Sequence, residues 1–359
     1  MPSVDVAVPC YNYAHYLPEC IDSILSQRDV DVRILIIDDQ SPDNTEEVGK
    51  ALAAADPRVF YTRNSQNLGL VGSSNVGVID WASADYTLLL SADDLLVPGA
   101  LARAVTALEA HPEAPFLFAP AMLFSENEEV RGKFDDPQTA NVDVIEGAEL
   151  LRKFCDHGDG ILTPTAVVRT SAQKQVGGYN PNVPFACDME MWIRMAAIGP
   201  ILHLDTVQGC YRWHASNMST AFATDVGKYW RENVLALSEA AKVCADRLTE
   251  LPQLLEDFRK KAGETLCYRG SVAALSGDKA LADAHFASAV ELYPEVRETP
   301  AWRAAKFKYA LANPPGRLVL GLLGKKASYT PEEVKDIVSP EIHEVGRPWR
   351  WWEEVRTPA

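Results

Sequence analysis

The chain of 359 residues lacks the features that mark membrane, secreted and zinc-binding proteins. No run approaches the roughly 18 apolar residues of a membrane span. Residues 1–8 do not combine a basic segment with an apolar one, so we expect no secretory signal. The seven cysteines are scattered and form no C-x-x-C pair, which favours free thiols over disulfides or zinc ligands. The sequence therefore predicts a cytoplasmic protein with reduced cysteines.

Basic residues are scarce relative to acidic ones. The chain has 34 Lys and Arg against 50 Asp and Glu, which gives a formal net charge of −16. This balance disfavours nucleic acid as a partner and disfavours electrostatic docking of the whole chain on anionic lipid, although it permits a local basic patch. The sequence therefore predicts a globular protein with no nucleic-acid partner.

Glycine-rich phosphate loops are absent as well. No G-x-G-x-x-G follows the first strand-like run and no G-x-x-x-x-G-K-[ST] occurs, so dinucleotide-binding and P-loop interpretations are weak. Strand-like and helix-like segments nevertheless alternate over the first ~120 residues at the spacing of βαβ units. This alternation predicts an α/β fold with a doubly wound, mostly parallel sheet. Acidic residues stand at the strand ends, which suits a nucleoside diphosphate held through a metal ion.

The stretch from Leu88 to Leu96 carries the strongest chemical signal. Its leucines predict a strand buried on both faces, and Asp93 and Asp94 follow where that strand should end. Ligands of open α/β sheets bind outside the carboxyl ends of the strands. Because a divalent cation relieves the repulsion between adjacent carboxylates, we predict Asp93 as a metal ligand and Asp94 as a neighbouring group that orients the site. The alternative is that one of them caps the helix beginning near Pro98.

The C-terminal part has a different character. Beyond about residue 224 glycines thin out, and alanine-rich helical patterns run to about residue 312. We therefore divide the chain into an α/β domain, 1–222, and a mostly α-helical region, 223–359, with one tetratricopeptide-like hairpin near 270–294. The run Leu318–Leu323, followed by Lys325 and Lys326, predicts either a peripheral membrane or homo-oligomer contact or packing on the body of the protein.

Several short motifs occur in a fixed order along the first ~220 residues. They are Val8-Pro9-Cys10-Tyr11-Asn12, Ile37–Thr45, Asn67-Leu68-Gly69 with Asn75-Val76-Gly77, Ser91-Ala92-Asp93-Asp94, Gly177-Gly178-Tyr179, Cys187-Asp188 and Tyr211-Arg212-Trp213-His214. Each motif alone is weak, but the ordered set resembles the family 2 inverting glycosyltransferases. The resemblance covers residues 1 to about 220 and implies the GT-A fold for that part of the chain.

The resemblance also implies a role for each matching position. Pro9 and Tyr11 would line the nucleoside pocket, with the Tyr11 ring against the base, and Asp39 would accept a hydrogen bond from the base. A divalent metal, Mn²⁺ or Mg²⁺, would be bound by Asp93 with Asp94 beside it. Further implied positions are the metal ligand His214, the catalytic base Asp188, and the nucleotide contacts Asn12, Asn67, Gly69, Asn75, Ala92 and Arg212.

Asp188 has an alternative role, and the sequence departs from the family pattern at three positions. Asp188 lies near the start of a predicted helix, where an N-terminal cap is the alternative role. Ser91 stands where the metal motif usually begins with an aspartate. Gln40 stands where glycine is common, and Cys187 stands where a glutamate often precedes the base. The departures put the ribose contact, the turn after Asp39 and the acceptor contacts in doubt.

The implied activity is metal-dependent, inverting transfer of a sugar from a nucleotide sugar to a hydroxyl. UDP-linked donors are usual in the family, and the acceptor would be a glycan, a lipid-linked glycan or a protein, as in bacterial surface-polysaccharide synthesis. The implied location is the cytoplasm, or the inner face of the membrane if the C-terminal contact forms.

Two alternatives to this activity stay open. A sugar nucleotidyltransferase would need a glycine-rich basic loop at Cys10–Tyr13, where the chain has none. A non-catalytic carbohydrate-binding or scaffold protein would explain the departures at Ser91 and Cys187.

Overall fold

The structure is a computed structural model that describes residues 1–125, 140–158, 160–218 and 225–330, with the backbone alone at 348–349. The chain divides into two units. The first comprises Met1–His214, Glu239–Thr249 and His343–Ala359, and the second comprises Ala215–Ser238 and Glu250–Ile342. The predicted boundary between residues 222 and 223 lies outside the described residues.

The first unit alternates strands and helices. Its strands are β1 (Ser3–Cys10), β2 (Asp31–Asp38), β3 (Val59–Arg63), β4 (Tyr86–Leu89), β5 (Leu95–Leu96), β6 (Phe116–Phe118), β7 (Ala121–Ser125), β8 (Val142–Ile145), β9 (Val167–Arg169), β10 (Ile201–Leu204), β11 (Gly209–Trp213) and β12 (Pro348–Trp349). Its helices are α1 (Leu17–Leu25), α2 (Thr45–Ala55), α3 (Gly69–Asn75), α4 (Ala100–Ala110), α5 (Gly147–His157), α6 (Thr170–Val176) and α7 (Cys187–Ala196).

Eight strands form one mixed sheet in the order β3-β2-β1-β4-β9-β6-β10-β8. The first four run parallel, whereas β9 is antiparallel to β4 and β6, and β8 is antiparallel to β10. The predicted α/β architecture is therefore confirmed. Chain order reverses between β1 and β4, and ligands of open α/β sheets bind outside the carboxyl ends of the strands at such a switch point. The loops after β1 and β4 flank that point.

Burial explains the apolar runs of the central strands. Ile34 and Ile36 of β2 and Leu88 of β4 are fully buried. Strands that are covered on both faces need apolar residues on both faces. The polar residues that the sequence places after these strands therefore mark the edge of the sheet.

A second sheet brings two distant segments together. Its order is β12-β7-β11-β5, with β11 parallel to β7 and antiparallel to β5. Leu95 pairs with Cys210, and Leu96 pairs with Gly209. Because β5 follows Asp94 directly and β11 ends one residue before His214, this pairing places the two predicted metal-binding segments side by side.

Beyond residue 225 the described chain is helical. Its helices are α8 (Val226–Cys244), α9 (Leu251–Ser276), α10 (Lys279–Leu292), α11 (Pro300–Ala310) and α12 (Pro314–Leu322). The hairpin expected near 270–294 is the end of a longer antiparallel pair, because α9 begins at Leu251. The turn follows from Gly277, with φ of 100°, and from Asp278, which caps α10 by accepting the N–H of Leu281 at 2.9 Å. None of the described helices is both long enough and apolar enough to cross a bilayer.

Candidate active site

Asp93 and His214 are in direct contact. Nε2 of His214 lies 3.0 Å from Oδ2 of Asp93, and both residues are buried. The two residues are 121 positions apart in the chain, and the pairing of β11 with β5 explains how they come together. The structure thus places in contact two residues that the resemblance implies as ligands of one metal ion, and metal binding itself stays a prediction.

Two tyrosines after β1 hold the imidazole ring of His214. The Tyr16 ring stacks on it with centroids 5.5 Å apart, and the Tyr13 ring packs edge-on at 5.3 Å. These ring contacts restrict rotation of the imidazole, so Nε2 stays directed at Asp93. The sequence analysis missed both roles, and the only signal was the aromatic composition of the loop.

Arg212 stabilises the Asp93-Asp94 turn. Its backbone N–H donates to Oδ1 of Asp94 at 2.9 Å, and its Nε donates to the carbonyl of Asp93 at 2.8 Å. A terminal guanidinium nitrogen donates to the Glu19 carboxylate at 2.7 Å, and the guanidinium lies 4.7 Å from the Tyr16 ring centroid. A planar group with donors in fixed directions suits such a position. The nucleotide contact implied for Arg212 stays a prediction.

Asp94 is buried behind this turn. Burial, together with the neighbouring charge of Asp93, raises the pKa of its carboxyl well above the ordinary value. The helix-cap alternative fails, because the N-cap of α4 is Gly99 with φ of 70° and no side chain caps that helix. Asp94 therefore orients the turn through its bond with Arg212, and its position beside a metal ion stays a prediction.

The chemistry of the donor pair fits a divalent cation. A carboxylate oxygen and an imidazole nitrogen converge, and both donor types bind first-row metals such as Mn²⁺. Over residues 1–125, 140–158, 160–218 and 225–330, no group of three or more His, Cys, Asp or Glu side chains could hold a metal ion. Among the described residues, the candidate ligands are therefore Asp93 and His214, and substrate oxygens and water would supply others.

Asp39 lies just beyond β2 with one carboxylate oxygen engaged. Oδ1 accepts the backbone N–H of Leu68 at 2.7 Å and the Nδ2–H of Asn64 at 2.8 Å. Asn67 donates to the Asp39 carbonyl at 3.1 Å, and its own Oδ1 accepts the N–H of Gly69 at 3.1 Å. No described residue donates to Oδ2 of Asp39, so that oxygen can accept a hydrogen bond from a ligand.

The loop after β1 lies at the same edge of the sheet. Tyr11 is 50% exposed, which leaves its ring open to stacking. Asn12 has φ of 62°, and its N–H donates to Oγ of Ser41 at 3.1 Å, which joins this loop to the one after β2. Pro9 and Ala92 are buried. A nucleotide contact from Ala92 would therefore come from its backbone.

The structure shows the local conformation at each of the three departures. Gln40 has φ of 61°, so the turn keeps the left-handed conformation that glycine adopts easily. The carbonyl of Ser91 accepts the N–H of Asp94 at 3.0 Å, so the backbone closes that turn without an aspartate. Cys187 is buried, and burial raises the pKa of its thiol, so no charge replaces the glutamate usual in the family.

Asn75 is bound to backbone. Its Oδ1 accepts the N–H of Tyr179 at 2.7 Å, and its Nδ2 donates to the Tyr179 carbonyl at 2.9 Å. A Cβ at Gly178 would lie 2.5 Å from Oδ1 of Asn75, so this close approach requires glycine. The bonds tie α3 to the loop that leads to Asp188. A nucleotide contact from Asn75 stays a prediction.

We expect the Asn75→Ala variant to lower Tm by roughly 5 °C, because two buried backbone groups of Tyr179 lose their partners, at a cost of about 2 kcal/mol. Gly178→Ala should have a similar effect, because its Cβ displaces the Asn75 amide. Gly321→Ala, with nothing within 4 Å of the new Cβ, is the matched control. Scanning calorimetry measures the Tm of each variant, and nucleotide titration measures its affinity for nucleotide. Weaker nucleotide binding at unchanged Tm would instead favour a direct contact between Asn75 and nucleotide.

Asp188 lies in the first turn of α7. The N-cap is Ala186, but Oδ1 of Asp188 accepts the N–H of Met189 at 2.8 Å, so the residue does satisfy one helix-end donor. Burial raises the pKa of its carboxyl from 3.8 to about 6. A carboxylate with this pKa is suited to accept a proton near neutral pH.

An ion pair that the sequence analysis missed anchors α7. Arg194 donates to the Glu190 carboxylate at 2.7 Å, and both side chains are buried. The same guanidinium donates to the carbonyls of Val176 at 2.6 Å and Gly178 at 2.8 Å. The i,i+4 spacing of Glu190 and Arg194 was visible in the sequence, but their burial was not. These bonds hold the helix of Asp188 against the Gly177-Gly178 turn.

Solved structures identify the architecture. The crystal structure of S. aureus TarS 1-349 in complex with UDP-GlcNAc aligns with a TM-score of 0.54 at 18% identity, over 85% of this chain and 92% of that one. Mannosyltransferase PcManGT from Pyrobaculum calidifontis, in complex with GDP-Man and Mn²⁺, aligns with a TM-score of 0.50 at 16% identity, over 90% and 88%. Likeness at these identities shows the fold alone, and that fold is GT-A.

Sequence comparisons match the N-terminal part of the chain to a known family. Residues 5–141 match the family model described as Glycosyl transferase family 2. An uncharacterized glycosyltransferase of Haemophilus influenzae is 25% identical over 242 residues, 65% of this chain and 73% of that protein. Hyaluronan synthase of Pasteurella multocida is 28% identical over 224 residues, 61% of this chain but 21% of that much longer protein. The N-terminal part of the chain, residues 5–141, therefore matches glycosyl transferase family 2, and the comparisons together support a glycosyltransferase.

Proposed function

We propose that this protein transfers a sugar from a UDP-sugar to a hydroxyl group with inversion at the anomeric carbon and with the help of Mn²⁺ or Mg²⁺. The contact between Asp93 and His214 at the carboxyl edge of the sheet carries the proposal, because the pair would form a cation site beside the loops that hold Tyr11 and Asp39. The UDP-GlcNAc complex of TarS supports a UDP-linked donor, whereas the GDP-Man complex of PcManGT leaves GDP as the competing choice.

In the proposed donor site, different residues bind the base, hold the cation and position the metal-binding turn. The exposed ring of Tyr11 stacks on the base, and Oδ2 of Asp39 accepts an N–H of the base. Asp93 and His214 would hold the cation, which when bound would stabilise the negative charge that the diphosphate gains as the glycosidic bond breaks. Arg212 keeps the Asp93-Asp94 turn in place through its bonds to that turn.

In the proposed transfer step, Asp188 acts as the base. A hydroxyl is a poor nucleophile until its proton is removed, and the Asp188 carboxylate takes that proton as the oxygen attacks the anomeric carbon. The bond to the diphosphate breaks on the opposite face in an oxocarbenium-like transition state, so a single displacement inverts the centre. We propose a glycan, lipid-linked glycan or protein as acceptor, and the similarity to hyaluronan synthase favours a glycan.

A screen of nucleotide sugars tests the function. Purified protein is incubated with UDP- and GDP-linked sugars, with Mn²⁺ or with chelator, while free nucleoside diphosphate and the anomeric configuration of any product are measured. We expect UDP release in Mn²⁺, little in chelator, and an inverted product. Failure to bind or hydrolyse any nucleotide sugar would favour a scaffold role. Release of GDP from GDP-sugars, without release of UDP from UDP-sugars, would show that the donor is GDP-linked.

The pH profile of transfer should report the Asp188 carboxyl. Because its pKa is raised to about 6, the carboxylate is the main form above pH 6 and is lost by protonation below it. We therefore expect turnover to fall about tenfold per pH unit below pH 6 and to level off above pH 7. Turnover is measured at saturating donor and metal. A profile that is flat between pH 5 and 7 would contradict the proposed base.

A further inference from the structure

The segment 300–330 differs in charge from the rest of the chain. It contains no Asp or Glu, although the whole chain has a formal net charge of −16. Its basic residues are Arg303, Lys306, Lys308, Arg317, Lys325 and Lys326. This is the local basic patch that an acidic protein can still present to an anionic partner.

Helix α12 within this segment has its own start and stop signals. The side chain of Asn313 accepts the N–H of Gly316 at 2.9 Å, and prolines occupy the first helical positions. The helix ends before Gly324, with φ of 66°, and the N–H of Lys325 donates to the carbonyl of Leu320 at 2.9 Å. Because caps define both ends, α12 does not depend on burying its whole apolar surface.

Most apolar side chains of α12 and its C-cap are in fact exposed. Leu318 is 68% exposed, Val319 43%, Leu322 80% and Leu323 56%, whereas Leu320 is fully buried. Leu318 and Leu322 are four residues apart, as are Val319 and Leu323, so the exposed residues form one contiguous stripe. The packing alternative of the sequence analysis thus applies to Leu320 and leaves an apolar stripe facing outwards.

We propose that this α12 surface, defined as the apolar stripe together with Lys325 and Lys326, docks on the face of a bilayer that contains anionic phospholipid. A short helix with exposed apolar residues and adjacent basic residues lies in the lipid interface, with the apolar side chains below the headgroups and the basic ones at the phosphates. Because the segment carries basic residues and no acidic ones, its charge complements that of an anionic surface. The proposal goes beyond the proposed function and does not depend on it.

Binding should be moderate and salt-sensitive. The negative charge of the whole chain opposes approach to anionic lipid, so the attraction acts only within about a Debye length of the basic residues. Each basic residue at the surface contributes about a fivefold gain in partitioning. We therefore expect the protein to bind and dissociate rather than to insert.

Vesicle cosedimentation of the full chain tests the proposal. Phosphatidylcholine vesicles with and without phosphatidylglycerol are compared at low salt and at about 1 M salt, where the Debye length is about 3 Å. We expect binding to the anionic vesicles at low salt and little under the other conditions. Leu318→Ser/Leu322→Ser should weaken this binding at least tenfold, and Lys325→Ser/Lys326→Ser about 25-fold. Unchanged binding by both double variants would overturn the proposal.

Matched substitutions elsewhere serve as controls. Val243→Ser removes another exposed apolar side chain, and Lys50→Ser/Lys242→Ser removes two exposed charges, so both should bind like wild type. All variants should keep the wild-type Tm, because the altered side chains are exposed. Sedimentation velocity without lipid tests whether the α12 surface instead binds a second copy of this protein. A dimer abolished by Leu318→Ser/Leu322→Ser, with no vesicle binding, would overturn the membrane proposal, as would equal binding to neutral and anionic vesicles.

Discussion

The Asp188→Asn variant is expected to lose about 10²–10⁴-fold in turnover while it keeps its affinity for nucleotide. The amide preserves the shape of the side chain and can still accept the N–H of Met189, but it cannot take a proton from an acceptor hydroxyl. Loss of turnover without loss of donor binding therefore separates a base from a donor contact. The measurements are the kcat of transfer and the Kd of the nucleoside diphosphate in Mn²⁺.

A matched acidic substitution guards against an indirect effect. Asp80 is exposed, and Asp80→Asn removes the same charge, so this variant should transfer sugar at the wild-type rate. Asp188→Glu should recover part of the activity, because it restores a carboxylate at a shifted position. Near-normal turnover by Asp188→Asn would refute the assignment of Asp188 as the base.

The Asp93→Ala variant is expected to weaken nucleoside diphosphate binding about 100-fold or more in Mn²⁺ and little in chelator. Removal of a residue that hydrogen-bonds to a metal ligand typically reduces metal affinity about 10–100-fold. Removal of a ligand itself should therefore reduce metal affinity at least as much. His214→Ala should act in the same direction, because His214 is the partner of Asp93 in the proposed pair. Titration calorimetry with and without chelator measures both effects.

The difference between metal and chelator is the internal control of this experiment. A nucleotide contact that does not involve the cation would be lost equally under both conditions. Asp31→Ala, at an exposed aspartate, tests for a general effect of charge and should leave binding unchanged. Equal losses for Asp93→Ala in metal and in chelator would count against metal ligation.

Sequence patterns were most informative where residues close in the chain act together. The apolar runs of β2 and β4 with acidic residues directly after them predicted the sheet and its functional edge, because strand burial is a local signal. The ordered motifs from Val8 to His214 resemble the family, and the family model matches residues 5–141, which hold the first four of these motifs. The boundaries of α9 were less predictable, since continuous helical propensity from Leu251 gives no start signal near residue 270.

Contacts across long separations were beyond the sequence. Asn75 was expected at the nucleotide, and the structure places both of its polar atoms on the backbone of Tyr179. Arg212 was expected at the nucleotide as well, and the structure places it on the Asp93-Asp94 turn, so both nucleotide contacts stay predictions. Polar side chains of the same type serve ligands and backbone alike, so only the fold reveals which partner is within reach.

By itself the sequence determined the alternation of strands and helices, the acidic strand ends and the resemblance to the family, because each depends on neighbouring residues or on motifs in order. Only the tertiary structure decided that Asp93 contacts His214, that Tyr13 and Tyr16 hold the imidazole, and that four apolar residues of the segment around α12 face outwards. The physical reason is that burial and pairing depend on which distant segments pack together. The periodicity of one segment does not indicate which other segments it contacts.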